Sequence, residues 1–255
     1  MKIALIQSDI IWEDAVKNLQ NFTAKINTIA SDVDLIVLPE MFTTGFSMHP
    51  KEIAEKMEGN SVSWLKNIAK SRNTAITGSL VVKENENFYN RLLFVFPSGE
   101  IQHYDKRHLF SLAGEDELYS AGAKKLIIEY KSWKICPLIC YDLRFPVFSR
   151  NTEEYDLLLY VANWPTARIT AWDALLKARA IENMCYTIGV NRVGEDGNDH
   201  PYSGHSQAID FLGNTISESS EKETILIAEL DKQQLLETRK KLGFLNDRDD
   251  FKIIE

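Results

Sequence analysis

The sequence predicts an α/β protein in which helices cover a mixed β-sheet that is expected to divide into two stacked sheets. Short apolar, β-rich segments recur along the chain, and stretches with helical spacing alternate with them. Several of the β-rich segments are apolar at consecutive positions, which indicates burial on both faces. A Pro-Ser-Gly sequence at 97–99 is typical of a hairpin turn. The predicted strands are 2–7, 34–38, 74–82, 91–96, 126–130, 133–140, 157–161, 186–191, 206–210 and 224–230.

Three helices are predicted between these strands. Between the first two strands, apolar residues from Trp12 to Ile29 fall at three- and four-residue steps, the pattern of a helix that covers one face of a sheet. The opening unit is therefore predicted to be βαβ. A second helix is predicted over 63–71 and a third over 170–184, with Thr170 as its cap.

Composition indicates one folded domain over residues 1–255. Hydrophobic residues make up 44% of the 255 residues and charged residues 26%, the balance of an ordinary globular protein. There is no internal repeat and no linker rich in proline, glycine or serine. The charged segment 245–255 is predicted to be either a tail held against a partner subunit or a frayed terminus.

The charge and the cysteine content limit the partners and the compartment. Asp and Glu number 37 against 29 Lys and Arg, a net charge of −8, so no basic surface for nucleic acid or an anionic membrane is expected. The first residues lack the features of a signal peptide, and no apolar stretch is long enough to span a bilayer. The chain has only three cysteines, an odd and small number that favours reduced thiols over a disulfide framework. We therefore expect a cytoplasmic protein.

Cys140 is a candidate nucleophile. It ends the apolar segment Ile-Cys-Pro-Leu-Ile-Cys, and Pro146, a residue suited to the first turn of a helix, follows closely. A strand, a sharp turn and a helix are therefore predicted. Such an elbow lifts the strand-end side chain out of the sheet and points backbone N–H groups at it, as a nucleophile with an oxyanion hole requires. The alternative is that Cys140 is simply a small buried hydrophobic residue.

No structural metal site is expected. Cys136 and Cys140 would lie about 13 Å apart in a strand that rises ~3.3 Å per residue, too far to share one ion. The five histidines show no ligand spacing. Cys185, between a helix and a strand, fits packing better than chemistry.

Glu40 is the candidate proton acceptor for such a cysteine. It follows the apolar segment Leu-Ile-Val-Leu-Pro at the carboxyl end of a predicted strand, the edge at which α/β sheets place their ligands. The apolar Met41 and Phe42 come next and would exclude water, which favours a general base. The alternative is a strand-end glutamate that forms a salt bridge or caps a loop.

The segment 104–110 carries a second candidate, Lys106. An ammonium group placed against a developing oxyanion stabilises it strongly where water is excluded. The alternative for this Asp-Lys-Arg-His run is a solvated charged loop. Glu115, a few residues later, is either a second carboxylate of the site or an ordinary loop residue.

Taken together and in order, Glu40 in PEMF, Lys106 in YDKRHLF and Cys140 in LICYDLRFP resemble the Glu-Lys-Cys triad of the nitrilase superfamily, the carbon–nitrogen hydrolases. The resemblance covers nearly the whole chain. It extends to three further blocks, Asn163-Trp164-Pro165, the segment 179–183 and the segment 191–194.

Within that superfamily the blocks PEMFTTGF, DKRHLF, CYDLRFPVFSRN and ANWP look most like the omega-amidase branch. The resemblance implies hydrolysis of the terminal amide of 2-oxoglutaramate or 2-oxosuccinamate, without a metal or organic cofactor. It also implies a four-layer αββα sandwich and a homodimer. By the same resemblance Glu40 is the general base, Lys106 stabilises the oxyanion, Cys140 is the nucleophile and Glu115 is a second glutamate that orients the site.

The substrate's own carboxylate requires a cationic or N–H-rich pocket. Arg144 is the leading candidate because a guanidinium binds carboxylate through two hydrogen bonds. The alternative is that Arg144 fixes the elbow through an internal salt bridge while Tyr141 or Trp164 binds the substrate. Phe42, Phe110 and Trp164 are candidate apolar walls.

Three alternatives to the omega-amidase reading stay open. The first is a Cys-His hydrolase with His108, His200 or His205 as its base. The second is another carbon–nitrogen hydrolase, an N-carbamoyl amidohydrolase or an aliphatic amidase. The third is a binding protein that keeps the fold without turnover.

Overall fold

The computed structural model describes residues 1–217 and 221–253, and the strands and helices below belong to that part of the chain. The strands are β1 (Lys2–Gln7), β2 (Leu35–Val37), β3 (Ala75–Glu84), β4 (Asn87–Val95), β5 (Ile101–Asp105), β6 (Ile128–Tyr130), β7 (Trp133–Ile139), β8 (Leu157–Val161), β9 (Tyr186–Val190), β10 (Val193–Glu195), β11 (Pro201–Ser203), β12 (Gln207–Ile209) and β13 (Thr224–Glu229). The helices are α1 (Ala15–Asn27), α2 (Pro50–Ile53), α3 (Asn60–Arg72), α4 (Glu115–Leu118), α5 (Pro146–Ser149), α6 (Ile169–Asn183) and α7 (Lys232–Leu242).

The first sheet has the strand order β13-β1-β2-β3-β4-β5 within the described residues. Ile3 of β1 lies opposite Leu35 of β2 in a parallel pair, which confirms the predicted βαβ unit. β3, β4 and β5 form an antiparallel meander. Gly99, with φ of +88°, completes the predicted turn between β4 and β5 and donates its N–H to the carbonyl of Phe96 at 2.8 Å. β2, β3 and β5 therefore run in one direction.

The second sheet has the order β12-β9-β8-β7-β6, and β7, β8 and β9 are parallel. Ile135 of β7 lies opposite Leu157 of β8, which in turn lies opposite Tyr186 of β9. β10 and β11 form a separate hairpin. The consecutive apolar residues of β7 and β8 are explained by this arrangement, because both faces of the central strands are covered.

Two hydrophobic layers show that the sheets are stacked. Ile3 and Leu5 of β1 pack in a core shared with the second sheet, whereas Ala4 and Ile6 point to the opposite side and pack in a core with Phe22 of α1. Helices α1 and α3 thus cover the outer face of the first sheet, and α6 covers the second. The predicted αββα sandwich is confirmed.

Several elements differ from the prediction. β5 was not predicted because its polar residues face partly outward at a sheet edge, and α7 was not predicted because it buries only Leu235 fully. The helix predicted over 63–71 begins earlier, at Asn60. Thr170 does not cap α6: the helix begins at Ile169, so the threonine lies inside its first turn and is exposed.

The last segment of the chain lies beside α5. Arg248 and Phe251 line a surface groove together with Pro146 and Val147. Residues 254 and 255 of the predicted tail lie outside the described residues. Within residues 1–217 and 221–253, no helix is both long and apolar enough to cross a bilayer.

Candidate active site

The ends of four strands meet at one edge of the sandwich. Glu40 follows β2 and Lys106 follows β5 in the first sheet; Cys140 follows β7 and Asn163 follows β8 in the second. Because these strands deliver their carboxyl ends to the same edge, residues far apart in the sequence become neighbours. The structure therefore brings together the three side chains of the predicted triad.

Cys140 occupies a sharp backbone turn. Its φ is +43°, in the left-handed region that a residue with a side chain seldom adopts. A 3₁₀ helix, Cys140–Arg144, starts there and leads into α5, which Pro146 opens as predicted. The nucleophile candidate thus lies on a strained elbow between strand and helix.

Asp142, a fully buried carboxylate, anchors this elbow. It accepts hydrogen bonds from the backbone N–H of Ile139 at 3.0 Å and from the hydroxyl of Tyr104 at 2.8 Å. Its other oxygen accepts the backbone N–H of His108 at 3.0 Å and contacts the Nδ1 atom of that ring at 2.8 Å. Asp142 therefore joins the cysteine elbow to the turn that carries Lys106.

Glu40, Lys106 and Glu115 form a buried ionic cluster in which no side chain is more than 1% exposed. Lys106 Nζ donates to Glu40 Oε1 at 3.0 Å, and to Glu115 Oε1 and Oε2 at 3.0 and 2.9 Å. The backbone N–H of Phe110 also donates to Glu115 Oε2, at 2.6 Å. The segment 104–110 is thus not a solvated loop: it buries its lysine between two carboxylates.

Two asparagines complete the cluster. The side-chain amide of Asn90 donates to Glu40 Oε1 at 2.7 Å and to Glu115 Oε1 at 3.3 Å. Asn163 donates its backbone N–H to Glu40 Oε2 at 2.8 Å. Every oxygen of the two carboxylates accepts at least one hydrogen bond, which is what burial of such groups requires.

The electrostatics of the cluster suit proton transfer. Burial would lower the pKa of Lys106, but Glu115 and Glu40 outweigh it and raise the pKa above its ordinary value, so the ammonium stays charged. Burial raises the pKa of Glu115. Burial, then the charge of Glu40 and a hydrogen bond to it, raise the pKa of the Cys140 thiol, while Lys106 opposes the rise. The resting cysteine is therefore a thiol beside a carboxylate that can take its proton.

A cavity of about 370 Å³ opens over this cluster. Cys140 and Lys106 reach its wall, and so do four of the residues predicted to bind substrate: Tyr141, Arg144, Phe110 and Trp164. Phe42 does not reach it, and that prediction is wrong. Its ring is fully buried in the outer core, 5.7 Å from the ring of Phe22 and 5.9 Å from that of Trp64, because the turn after Glu40 directs it toward α1 and α3.

Sequence reasoning missed three residues of this region. Asn90 carried one signal, since asparagine is disfavoured in β-strands. Asp142 and Arg168, which also lines the cavity, carried none that a single sequence shows. Their roles depend on contacts with residues of and after β5 in the other sheet: Asp142 with Tyr104 and His108, and Arg168 with Phe110.

The three histidines considered as an alternative base lie outside the buried cluster of Glu40, Lys106 and Glu115. His108 contacts Asp142 and stacks on Phe145, with ring centroids 3.8 Å apart. His205 contacts Asp173 at 2.9 Å, and His200 lines the cavity. The carboxylate whose charge raises the pKa of the Cys140 thiol belongs to Glu40. In the described part of the chain, no group of three His, Cys, Asp or Glu side chains is placed to hold a metal ion.

Residues 2–240 match the family model for carbon-nitrogen hydrolase, nearly the whole chain. The chain belongs to the carbon–nitrogen hydrolase family. It is therefore a hydrolase that acts on the C–N bonds of linear amides.

Curated relatives match over their full length. Omega-amidase YafV of Yersinia enterocolitica is 44% identical, with 100% of this chain and 99% of that protein aligned. The 2-oxoglutaramate amidase of Bacillus subtilis is 35% identical over 96% of each chain. Among solved structures, XC1258 of Xanthomonas campestris, a CN-hydrolase superfamily protein with an arsenic adduct in its active site, has a TM-score of 0.97 and 43% identity, covering 99% of this chain and 98% of that one.

Proposed function

We propose that this enzyme is an omega-amidase that hydrolyses the terminal amide of 2-oxoglutaramate or 2-oxosuccinamate to the 2-oxo dicarboxylate and ammonia. The observation that carries the proposal is that Cys140 and Lys106 line one cavity and that Lys106 Nζ donates to the buried Glu40 at 3.0 Å, while Arg144 and Arg168, which line the same cavity, form no ion pair with the described residues. The similarity to omega-amidases over the full chain supports the substrate.

In the first half of the proposed reaction, Glu40 takes the proton of Cys140 and the sulfur attacks the amide carbon. Lys106 and the backbone N–H of Tyr141 stabilise the oxyanion that forms. Glu40 then gives its proton to the nitrogen, the C–N bond breaks and ammonia leaves. A thioester between the substrate acyl group and Cys140 remains.

In the second half, Glu40 takes a proton from water, and the hydroxide attacks the thioester carbon. The C–S bond breaks, the proton returns to the sulfur, and the dicarboxylate leaves. One carboxylate thus alternates between base and acid. Glu115 keeps Lys106 charged and in place throughout, because it contacts the ammonium through both oxygens.

The acid end of the substrate is proposed to bind Arg144. The guanidinium lies over the ring of Trp164, 4.8 Å from its centroid, and both residues line the cavity. Its flat face is occupied by the ring while its edge remains available to a carboxylate. Tyr141, Phe110 and Trp164 provide the walls.

Release of ammonia from 2-oxoglutaramate, 2-oxosuccinamate, glutamine and pentanamide tests the proposal, with wild type and Cys140→Ala compared. The proposal predicts rapid turnover of the two oxo-amides and its loss in the variant. The matched control is Cys185→Ala, which removes a buried thiol of the core and should keep activity. Turnover of pentanamide or an N-carbamoyl amino acid in place of the oxo-amides would contradict the substrate, and full activity of Cys140→Ala would contradict the nucleophile.

We also propose a homodimer formed through the helices beside the elbow. Val147 of α5 is 58% exposed and Ile181 of α6 is 49% exposed, and Val147 lines the groove beside α5. Sedimentation should give the mass of two chains for wild type and a shift toward one chain for Val147→Asp. Val16→Asp, at an exposed site on the opposite helical layer, is the control. A wild type that sediments as a single chain would contradict the dimer.

A location in the cytoplasm is proposed because the mechanism requires Cys140 as a free thiol. A reducing compartment keeps thiols in that state. Fractionation of cells should recover the protein with cytoplasmic markers, and recovery with an oxidising compartment would contradict the proposal.

A further inference from the structure

Two arginines at the cavity differ from every other arginine of the chain. Within residues 1–217 and 221–253, each of the others donates a side-chain hydrogen bond to a carboxylate or a carbonyl. The guanidinium groups of Arg144 and Arg168 form no hydrogen bond or ion pair with the described residues, and both line the cavity. Both side chains are half-buried, so an anionic ligand would offset the cost of removing their charges from water.

Each of these two guanidinium groups stacks on an aromatic ring. Arg168 lies over Phe110, 5.1 Å from the ring centroid, as Arg144 lies over Trp164. Trp164 Nε1 also donates to the backbone carbonyl of Arg168 at 2.8 Å, which links the two arginines through one tryptophan. Guanidinium groups stacked in this way keep their N–H edges free for hydrogen bonds to planar oxygen groups.

Among the described residues, one carboxylate lines the cavity, and it does not pair with these arginines. Asp196, the acidic side chain among the lining residues in the described part of the chain, has both oxygens occupied. Its Oδ1 accepts the backbone N–H groups of Asn198 and His200 at 2.8 and 3.1 Å, and its Oδ2 accepts the hydroxyl of Tyr202 at 2.8 Å. An anionic ligand would therefore give the two guanidinium groups the partner that the described residues do not provide.

We propose that Arg168 is a specificity residue that acts with Arg144 on the acid end of the substrate and selects a 2-oxo acid amide over a 2-amino acid amide. This inference rests on the proposed function. A 2-oxo acid offers three neighbouring oxygen acceptors, two on the carboxylate and one on the ketone, which suits two guanidinium groups. Glutamine has an ammonium group in place of the ketone, and two nearby cations repel it.

The test compares kcat/KM for 2-oxoglutaramate, pentanamide and glutamine in wild type, Arg168→Gln and Arg168→Lys. For Arg168→Gln the ratio of 2-oxoglutaramate to pentanamide should fall about 10- to 100-fold, the effect of losing a charged hydrogen bond. The fall should come mainly from a higher KM for 2-oxoglutaramate. The ratio of kcat/KM for 2-oxoglutaramate to kcat/KM for glutamine should also become smaller. The ratio for Arg168→Lys should lie between those of wild type and Arg168→Gln, because lysine keeps the charge but lacks the planar fork of the guanidinium.

The control is Lys66→Gln, which removes an exposed positive charge on α3 and should keep the wild-type ratio. A second readout is calorimetric binding of 2-oxoglutarate to Cys140→Ala with and without Arg168→Gln, where Kd should rise about 10- to 100-fold. This readout does not depend on turnover.

The outcomes separate the two proposals. A wild type that does not hydrolyse 2-oxoglutaramate contradicts the proposed function, whatever Arg168 does. An active wild type with an unchanged ratio in Arg168→Gln, or with equal losses on both amides, overturns the role of Arg168 alone.

Discussion

Asn163 holds Glu40 at two points across the interface between the sheets. Its backbone N–H donates to Glu40 Oε2 at 2.8 Å, and its side-chain amide donates to the Glu40 backbone carbonyl at 2.7 Å. The Cys140 thiol faces the carbonyl of the same asparagine, with Sγ 3.9 Å from the oxygen. Asn163, the second residue after β8, therefore fixes the distance between the proposed base and the proposed nucleophile.

Glu40→Gln should separate thiol acidity from catalysis. The charge of Glu40 and its hydrogen bond raise the pKa of Cys140, so their removal should lower that pKa, with Lys106 still opposing the rise. Turnover should nevertheless fall about 10²- to 10⁴-fold because the proton acceptor is lost. Thiolate absorbance and the pH dependence of alkylation by iodoacetamide measure the first effect, and ammonia release measures the second.

The other two cysteines serve as internal controls in that experiment. Cys136 and Cys185 are fully buried, and burial raises the pKa of Cys185 to about 12. Alkylation in the folded protein should therefore modify Cys140 alone. A raised thiol pKa in Glu40→Gln, or turnover close to wild type, would be inconsistent with Glu40 as the base.

Glu115→Gln should weaken the hydrogen bonding that holds the ammonium group of Lys106 in place. The amide would place an N–H₂ group where a carboxylate oxygen now accepts from Lys106 and from the N–H of Phe110 or the amide of Asn90. We expect a loss of about 1–3 kcal/mol in the free energy of unfolding and a lower kcat with little change in KM. Denaturant unfolding and steady-state kinetics measure both. Glu117→Gln, exposed on the same short helix, is the matched control; equal effects of the two substitutions would argue against a role for Glu115.

Lys106→Met should reveal a stability contribution that depends on pH. The variant buries two carboxylates without their cation, which should cost about 3–5 kcal/mol near neutral pH. Because the pKa of Lys106 in the folded protein is raised above its ordinary value of 10.5, the contribution is fully present below that pH. It is lost as pH rises further, through the folded pKa. The difference in stability between wild type and variant should therefore begin to shrink above pH 10.5, and a difference that stays constant there would refute the assignment.

Asp142→Asn should loosen the cysteine elbow. An amide cannot accept at both ends from Ile139, Tyr104 and His108, so one donor loses its partner. We expect about 1–3 kcal/mol lower stability and a slower reaction of Cys140 with substrate. Asp116→Asn, at an exposed position of α4, is the control. If Asp142→Asn unfolds and reacts like wild type, the anchoring role is wrong.

The parts of the site that were predictable from sequence are those with a local signal. Cys140 and Glu40 each end an apolar strand, and the break in hydrophobicity is visible within a few residues. The contact of Lys106 with two carboxylates is different, because it depends on β5, a polar edge strand that the pattern did not indicate. Arg168 became relevant only when the pairing of β7 with β8 brought it to the same cavity as Arg144.

The most direct test of the central claim is to trap the proposed thioester. Wild-type enzyme mixed with 2-oxoglutaramate is quenched in acid during turnover, digested and analysed by mass spectrometry. The account predicts a 2-oxoglutaryl group on the peptide that contains Cys140, absent after treatment with hydroxylamine and absent from the peptides of Cys136 and Cys185. Ammonia release without any acyl group on Cys140, or an acyl group on another residue, would contradict it.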